Sequence, residues 1–490
     1  MRRTALVVLW FLLVAMVSPA PAEGNPSDVA ADFNNDGYTD LAVGVPGENN
    51  AAGAVNVLYG AAGGLSGPGG QLYFQVGGAV EDADNFGSAL AAGDFNSDGF
   101  ADLGVGAPWE DVGSTHDAGA VSVLYGSPSG LTTSRGQLFT QVGGAIEGDD
   151  WFGSALAAGD FNHDGFADLA MGAPYEDVGG TIDAGTVSVL YGSAAGLTSS
   201  GGRLFTQVGS AVESGDNFGS ALAAGDFNDN GFADLAAGAP SDEIGGAVSV
   251  LQGSAGGLTS SGGQLFRQVG GLVEGGDNFG FALAAGDFNH NGFTDLAAGA
   301  PFETVGAATF SAGAVSVLSG SPNGLTTTGG RLFTQVGGLV ERGDLFGWSL
   351  GAGDFNHDGF ADLAAGAPWE AVGSLAQAGA VSVLYGSATG PTASGGGLFT
   401  QVGGTVEGYD HFGSQLTAGD FNTDGFAELA GAAPDEGVGS AGGAGAVSVL
   451  PGSAGGLSSS GGRLLTQDSS GVPDVAEPGD SFGGTAFRAG

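Results

Sequence analysis

Apolar positions in this chain fall into short runs of small, β-branched and aromatic residues, broken by clusters of Gly, Pro, Asn and Ser. The same succession of runs recurs along the whole chain. One unit reads FGSALAAGD from Phe86 to Asp94, a polar loop, FADLGVGAP from Phe100 to Pro108 and a variable connection. It continues with AGAVSVLYG from Ala118 to Gly126, a Gly/Ser-rich turn and QLFTQVG from Gln137 to Gly143. Runs of this composition and length, bounded by turn residues, predict four β-strands per unit. None is long enough, or has the 3.6-residue period, to be an amphipathic helix.

The polar loop is nine residues long and occurs seven times. The copies start at Asp32, Asp94, Asp160, Asp226, Asp287, Asp354 and Asp420, spaced 62, 66, 66, 61, 67 and 66 residues apart. A period of this length marks supersecondary units packed side by side. Four-stranded units arrayed radially form a β-propeller, which protects sheet edges by repetition. The expected fold is therefore all-β, a seven-bladed propeller of four-stranded blades forming one domain over residues 23–490. A linear solenoid would need polar capping repeats, and the sequence shows none. Ser27–Ala31 stands where an FGSALAAG segment belongs, and Phe482–Gly490 resembles that missing segment. The tail 482–490 is thus expected to close the ring on the first blade. Val29–Ala31 partly duplicates it, and the two cannot share all of one strand.

Each loop places oxygen-bearing side chains at positions 1, 3, 5 and 9, Gly at 6 and an aromatic residue at 7. Alternating carboxylates and amides converge as the chain curls, Gly permits the sharp turn, and residue 7 offers its carbonyl. This is a donor set for Ca²⁺. The expected ligands are Asp32, Asn34, Asp36, Tyr38 and Asp40; Asp94, Asn96, Asp98, Phe100 and Asp102; Asp160, Asn162, Asp164, Phe166 and Asp168; Asp226, Asn228, Asn230, Phe232 and Asp234. The series continues with Asp287, Asn289, Asn291, Phe293 and Asp295; Asp354, Asn356, Asp358, Phe360 and Asp362; Asp420, Asn422, Asp424, Phe426 and Glu428. Asn230 and Asn291 leave two loops with only two carboxylates, so these should bind most weakly. Glu428 is longer than Asp and leaves the seventh loop's geometry open. The bland alternative is an Asx-type turn that needs no metal. An EF-hand would need flanking helices and a Glu at position 12, and dockerin loops lie closer together; neither pattern fits.

Composition supports export. Arg2 and Arg3, the apolar run Ala5–Val17 and Ala20-Pro21-Ala22 make a secretory leader over residues 1–22. No later apolar run could span a bilayer. There is no Cys, so bound calcium is the expected staple in place of disulfides. The net charge is −44, and no Lys is present. That disfavours nucleic acid and anionic membranes as partners and excludes P-loop or lysine Schiff-base chemistry. The loops' ligand positions hold 19 carboxylates and a recurring E-x-x-D element holds 14, together 33 of the 53. Metal binding accounts for more of this acidity than salt adaptation does.

Phe86-Gly87, the polar loop and Gly106-Ala107-Pro108 together resemble the FG-GAP repeat of integrin α-subunit propellers. Similar repeats occur in glycosylphosphatidylinositol-specific phospholipase D and in many bacterial exported proteins. The Gly-Ala-Pro triplet recurs at Gly106, Gly172, Gly238, Gly299 and Gly366, with Gly44-Val45-Pro46 and Ala432-Ala433-Pro434 as variants. The resemblance implies a calcium-binding propeller serving adhesion or recognition. Integrins carry the loop in only some blades, whereas every unit here has one. An inserted ligand-binding domain, leg domains and a phospholipase catalytic domain are all missing from this sequence.

Strand direction puts the metal loops and Gly/Ser turns on one face, here the lower, and the 2–3 and 4–1 connections on the upper. The upper connections repeat E-x-x-D-x-F-G, as in Glu81/Asp84 and Glu477/Asp480. Paired carboxylates suit glycoside hydrolysis, but seven equivalent pairs fit a structural repeat better than one catalytic site. After the strand-2 Pro stand Trp109, Tyr175, Phe302 and Trp369, candidates to hold a protein or sugar partner; packing on a neighbouring blade is the plainer alternative. Adjacent acids such as Glu110, Glu176, Glu303 and Glu370 are candidate acceptors for sugar hydroxyls. His163, His290 and His357 sit at loop position 4, where side chains are expected to face solvent. Nothing supports nucleophilic or transition-metal catalysis. The expected role is a secreted protein-recognition or adhesion module, with a lectin-like module second and a polysaccharide-active enzyme third.

Overall fold

The computed structural model describes residues 32–306 and 309–484, without the side chains of residues 66–68. The leader, Ser27–Ala31 and tail positions 485–490 lie outside the described residues. The described chain forms a seven-bladed β-propeller of antiparallel sheets. In blade 2, Ala89–Gly93, Asp102–Ala107, Ala120–Tyr125 and Thr132–Phe139 pair in chain order. First strands of successive blades touch one another, which places them at the centre and the fourth strands at the rim. The second and third strands of blade 2 are buried along their whole length, whereas the fourth is half exposed. Sandwiching between neighbouring blades explains why the middle strands read as unbroken apolar runs.

Six sheets have four strands. Blade 1 has three among the described residues: Leu41–Val45, Ala54–Tyr59 and Ser66–Tyr73. Phe482-Gly483 lies where its first strand would begin. The Gly483 N–H donates to the Gly44 carbonyl at 2.8 Å, as Gly87 does to Gly106 at 3.0 Å and Gly153 to Gly172 at 2.8 Å. Phe482 is fully buried in the core shared with Val45 and Val447. The short turn Glu48–Ala51 has left-handed Asn49 and Asn50, so it is no right-handed helix.

Blades meet through repeated contacts. The FG phenylalanine and the second residue of the loop, Phe86 and Phe95 in blade 2, are fully buried. The glycine of Gly-Ala-Pro is required by a close approach: a Cβ on Gly106 would overlap the Gly153 carbonyl oxygen of the next blade. Ser122 Oγ donates to the Val76 carbonyl at 3.2 Å and accepts from its N–H at 3.3 Å. The Tyr125 hydroxyl accepts from the Leu197 N–H at 3.2 Å.

The junction of blade 7 with blade 1 lacks three of these clasps. Asn56 replaces the serine and its buried amide has no hydrogen-bond partner. Pro451 replaces the tyrosine and Ala432 the glycine, and the last strand shortens to Arg463–Leu465. Arg463 Nη1 still reaches the Leu65 carbonyl at 3.3 Å.

Candidate functional site

Each lower-face loop curls around its own first residue. Asp94 accepts the N–H of Asp98 at 3.1 Å and of Gly99 at 2.8 Å, and Asp98 Oδ1 accepts the Phe100 N–H at 3.1 Å. Two left-handed residues make the curl: Gly99 at φ 88 and, unforeseen in the sequence, Ser97 at φ 53. Non-glycine residues take that second conformation in every loop: Asn35, His163, Asp229, His290, His357 and Thr423. The loops also interlock. The Ser127 N–H donates to the Phe33 carbonyl of the preceding blade at 3.2 Å, and Ala61 to Phe421 repeats this across the 7–1 junction at 3.2 Å. The histidines at position 4 are exposed, as expected, and each also lies against a neighbouring loop. The rings of His163, His290 and His357 meet Phe232, Phe360 and Phe426 of the next blade at 5.8, 5.7 and 5.7 Å.

Residue 9 is the buried anchor. Asp102 Oδ2 accepts the Phe95 N–H at 2.9 Å and Oδ1 the Gly126 N–H at 2.8 Å. Burial, with like charge from Asp94 and Asp98, pushes its carboxyl up to about 8. The same causes raise Asp40 and Glu428 to about 8 and Asp168 and Asp362 to about 7. A bound cation would relieve both penalties.

Two observations test the fit to such an ion. Asn96 Oδ1 and Asn356 Oδ1 are buried without a hydrogen-bond donor, as oxygens reserved for a metal would be. Asp420, Asp424 and Glu428 bring carboxylate oxygens within 4.8 Å of one another, so the longer Glu428 converges with its partners. The all-oxygen donor set suits Ca²⁺. In the two loops with fewer carboxylates, Asn230 and Asn291 accept the Phe232 and Phe293 N–H groups at 2.9 and 2.8 Å. There Asn228 and Asn289 donate to Asp234 and Asp295 at 2.8 and 2.6 Å.

On the upper face the E-x-x-D acids separate. Asp84 Oδ2 accepts the Glu81 N–H at 2.8 Å and is buried, whereas Glu81 is exposed. The carboxylate beside Asp84 is Glu110, from the end of the second strand. Glu110, Glu176, Glu303 and Glu370 are all buried, which withdraws them as acceptors for a sugar. Burial lifts Glu176 to about 8 and Glu303 and Glu370 to about 7. Blade 4 is the exception: Asp242 binds Arg267 and is held below the usual carboxylate range.

The four expected recognition aromatics fall into two clusters. Trp109 is only 7% exposed and meets Trp151 at 5.7 Å, and Trp151 meets Tyr175 at 4.5 Å. Half-buried Phe302 and Trp369 join Phe281 and Trp348, and Trp369 lies 5.1 Å from His411. His411 Nδ1 is 2.7 Å from Asp435, and Nε2 is 3.2 Å from Gln377. Trp151, Phe281 and Trp348 were not singled out from the sequence, and His411 was given no role there. The signal was there, since they occupy the variable positions flanking F-G in D-x-F-G-x.

The family model described as FG-GAP repeat matches residues 25–58, 86–124, 152–190, 218–251, 279–318, 346–384 and 412–450. Among curated proteins, the chain is 38% identical over 157 residues to phosphatidylinositol-glycan-specific phospholipase D of Rattus norvegicus, covering 31% of this chain and 18% of that protein. It is 35% identical over 239 residues to integrin alpha pat-2 of Caenorhabditis briggsae, covering 45% and 18% respectively. To integrin alpha-5 of Xenopus laevis it is 32% identical over 219 residues, covering 44% and 19%. These matches span less than a fifth of each relative's length. No helix among the described residues is long and apolar enough to cross a membrane. With seven matches, one to each blade and together more than half the sequence, the chain belongs to the FG-GAP repeat family.

Proposed function

We propose that this protein is an exported, calcium-stabilised recognition module that binds an extracellular protein through its upper-face connections, and that it is not an enzyme. The observation that carries this reading is the placement of exposed apolar side chains. All ten strongly exposed large hydrophobics among the described residues, from Val80 to Val475, lie in 2–3 or 4–1 connections. Apolar groups gathered on one face mark an interaction surface. Kinship with integrin α propellers agrees with it, and the leader sequence supports export. The acids of the upper face recur from blade to blade, and in the one junction set apart Asp242 is already paired with Arg267, which is not the pair of divergent acids a catalytic site would need.

Capture of proteins from the native surface and medium on the immobilised chain, in calcium, tests this. Leu272 and Leu339 are 77% and 75% exposed, so Leu272→Ser with Leu339→Ser removes contact area without disturbing the core. Capture should fall for that variant and persist for Ser134→Ala on the lower face. Equal capture by both would overturn the assignment. One observation favours a glycan as the second reading: Trp369 beside the His411–Asp435 pair offers a ring and polar groups together. A glycan array in calcium separates the two.

A further inference from the structure

Seven acidic junctions circle the upper face, and one already holds a cation. In blade 4 the Arg267 guanidinium binds both oxygens of Asp242, with Nη2 at 3.2 Å from Oδ2, and donates to the Gly246 carbonyl at 3.2 Å. At the equivalent position the other units carry Phe74, Thr140, Thr206, Thr334, Thr400 and Thr466. Those junctions keep the acids and lack the guanidinium.

Asp344 and Glu370 show what remains. They are 3% and 6% exposed and come from different connections. Glu370 Oε2 is buried without a hydrogen-bond partner, and so are the Oε2 atoms of Glu110, Glu176 and Glu303. Gln335, from the preceding blade, lies beside Glu370, and both its amide oxygen and its amide nitrogen are buried and unpartnered. Gln75, Gln141 and Gln268 repeat the arrangement. At the 7–1 junction, Glu48, Glu477 and Asp480 bring carboxylate oxygens within 4.8 Å of one another; there Gln467 Nε2 donates to Glu48 Oε2 at 3.0 Å and the Gln467 amide oxygen is left without a partner. A proton shared within each pair would neutralise charge but leave the glutamine oxygens idle. A metal ion uses both, and oxygen-only donors select a hard divalent cation.

We infer that the six upper junctions without an arginine bind divalent cations of the Ca²⁺ kind, separately from the nine-residue loops. The site at Glu48, Glu477 and Asp480 clamps the first blade to the last, where other clasps are missing.

Tryptophan placement makes the upper sites observable. Trp109, Trp151, Trp348 and Trp369 all stand in upper-face connections, Trp151 next to Asp150 and Trp369 next to Glu370. The loops carry only Phe or Tyr at position 7. The full chain, stripped with chelator, is titrated with Tb³⁺ and excited at the red edge of tryptophan absorption. Sensitised emission should rise to saturation and be displaced by Ca²⁺. The share from the sites beside Trp151 and Trp369 should be lost in the Glu176→Gln/Glu370→Gln double variant, leaving that of the Glu110 site beside Trp109, and none should be lost in the loop variant Asp164→Asn. Both glutamates become isosteric amides and mutual repulsion falls, so the melting temperature of the stripped double variant should not drop. Absence of emission from the wild-type chain, or full emission from the folded double variant, would overturn the inference.

Discussion

The two faces of this propeller solve the same electrostatic problem differently. Both bury carboxylates beside other carboxylates. On the lower face each acid also fixes backbone: Asp102 ties Phe95 to Gly126, and the loop hands a carbonyl to the next blade. On the upper face the acids sit between connections that vary in length and sequence, and each aspartate holds one backbone N–H rather than two. Repetition with few changes belongs to the lower face; variation hung on a repeated acid belongs to the upper.

Removing calcium should break the comparison most visibly. An ion held at about 100 times its Kd contributes about 2.7 kcal/mol per site. Chelation should therefore lower the melting temperature more than any single substitution, as calorimetry would record; an unchanged transition would mean that the loops are plain turns. Next comes Asp102→Ala, which strands two buried N–H groups at about 1–3 kcal/mol each. Thermal melts should show that loss in the presence or absence of calcium. Trp369→Ala on the upper face removes a half-buried ring and should cost about 1–2 kcal/mol while weakening partner capture. Asp164→Asn, exposed in its loop, should leave chelated stability within about 0.5 kcal/mol and weaken calcium binding in a calorimetric titration.

Acidity sharpens the same contrast. In chelated protein Asp102 is raised to about 8 and Asp362 and Glu303 to about 7, against an unfolded value of about 4. Groups raised in this way favour the fold while protonated. Their contribution is full below about pH 4 and disappears as pH climbs through about 7–8. Chelated chain should melt lower at pH 8 than at pH 5, and calcium should stabilise more at the higher pH. Asp242, held low beside Arg267, carries the opposite sign; its smaller contribution is lost in acid.

Blade number, strand count and the nine-residue loops were legible because they are local and repeated. On the upper face the spacing pointed to a structural repeat but not to the acid's partner. Glu81 and Asp84 are three residues apart, yet Asp84 uses Oδ2 to hold the Glu81 N–H and turns its carboxyl to Glu110. That partner lies 26 residues further along the sequence, too far for local spacing to reveal. Left-handed Ser97 escaped notice because five residue types share that position, where only the glycine two residues on announces a turn. Trp151 and Trp348 were missed because they fill slots that are mostly small or polar in the other units, and each contacts rings of its own and of the preceding blade that are distant in sequence.

A propeller that holds a partner also carries load. Tension on the ring would be shared by similar seams, except that one lacks both its serine and its tyrosine clasp and most of its outer strand. The seam between Arg463–Leu465 and the first blade should therefore open first in a pulling experiment, at a lower rupture force than any other. Its strength would be set by the acids at Glu48 and Asp480, so the mechanical limit of the module would depend on ions rather than on packing.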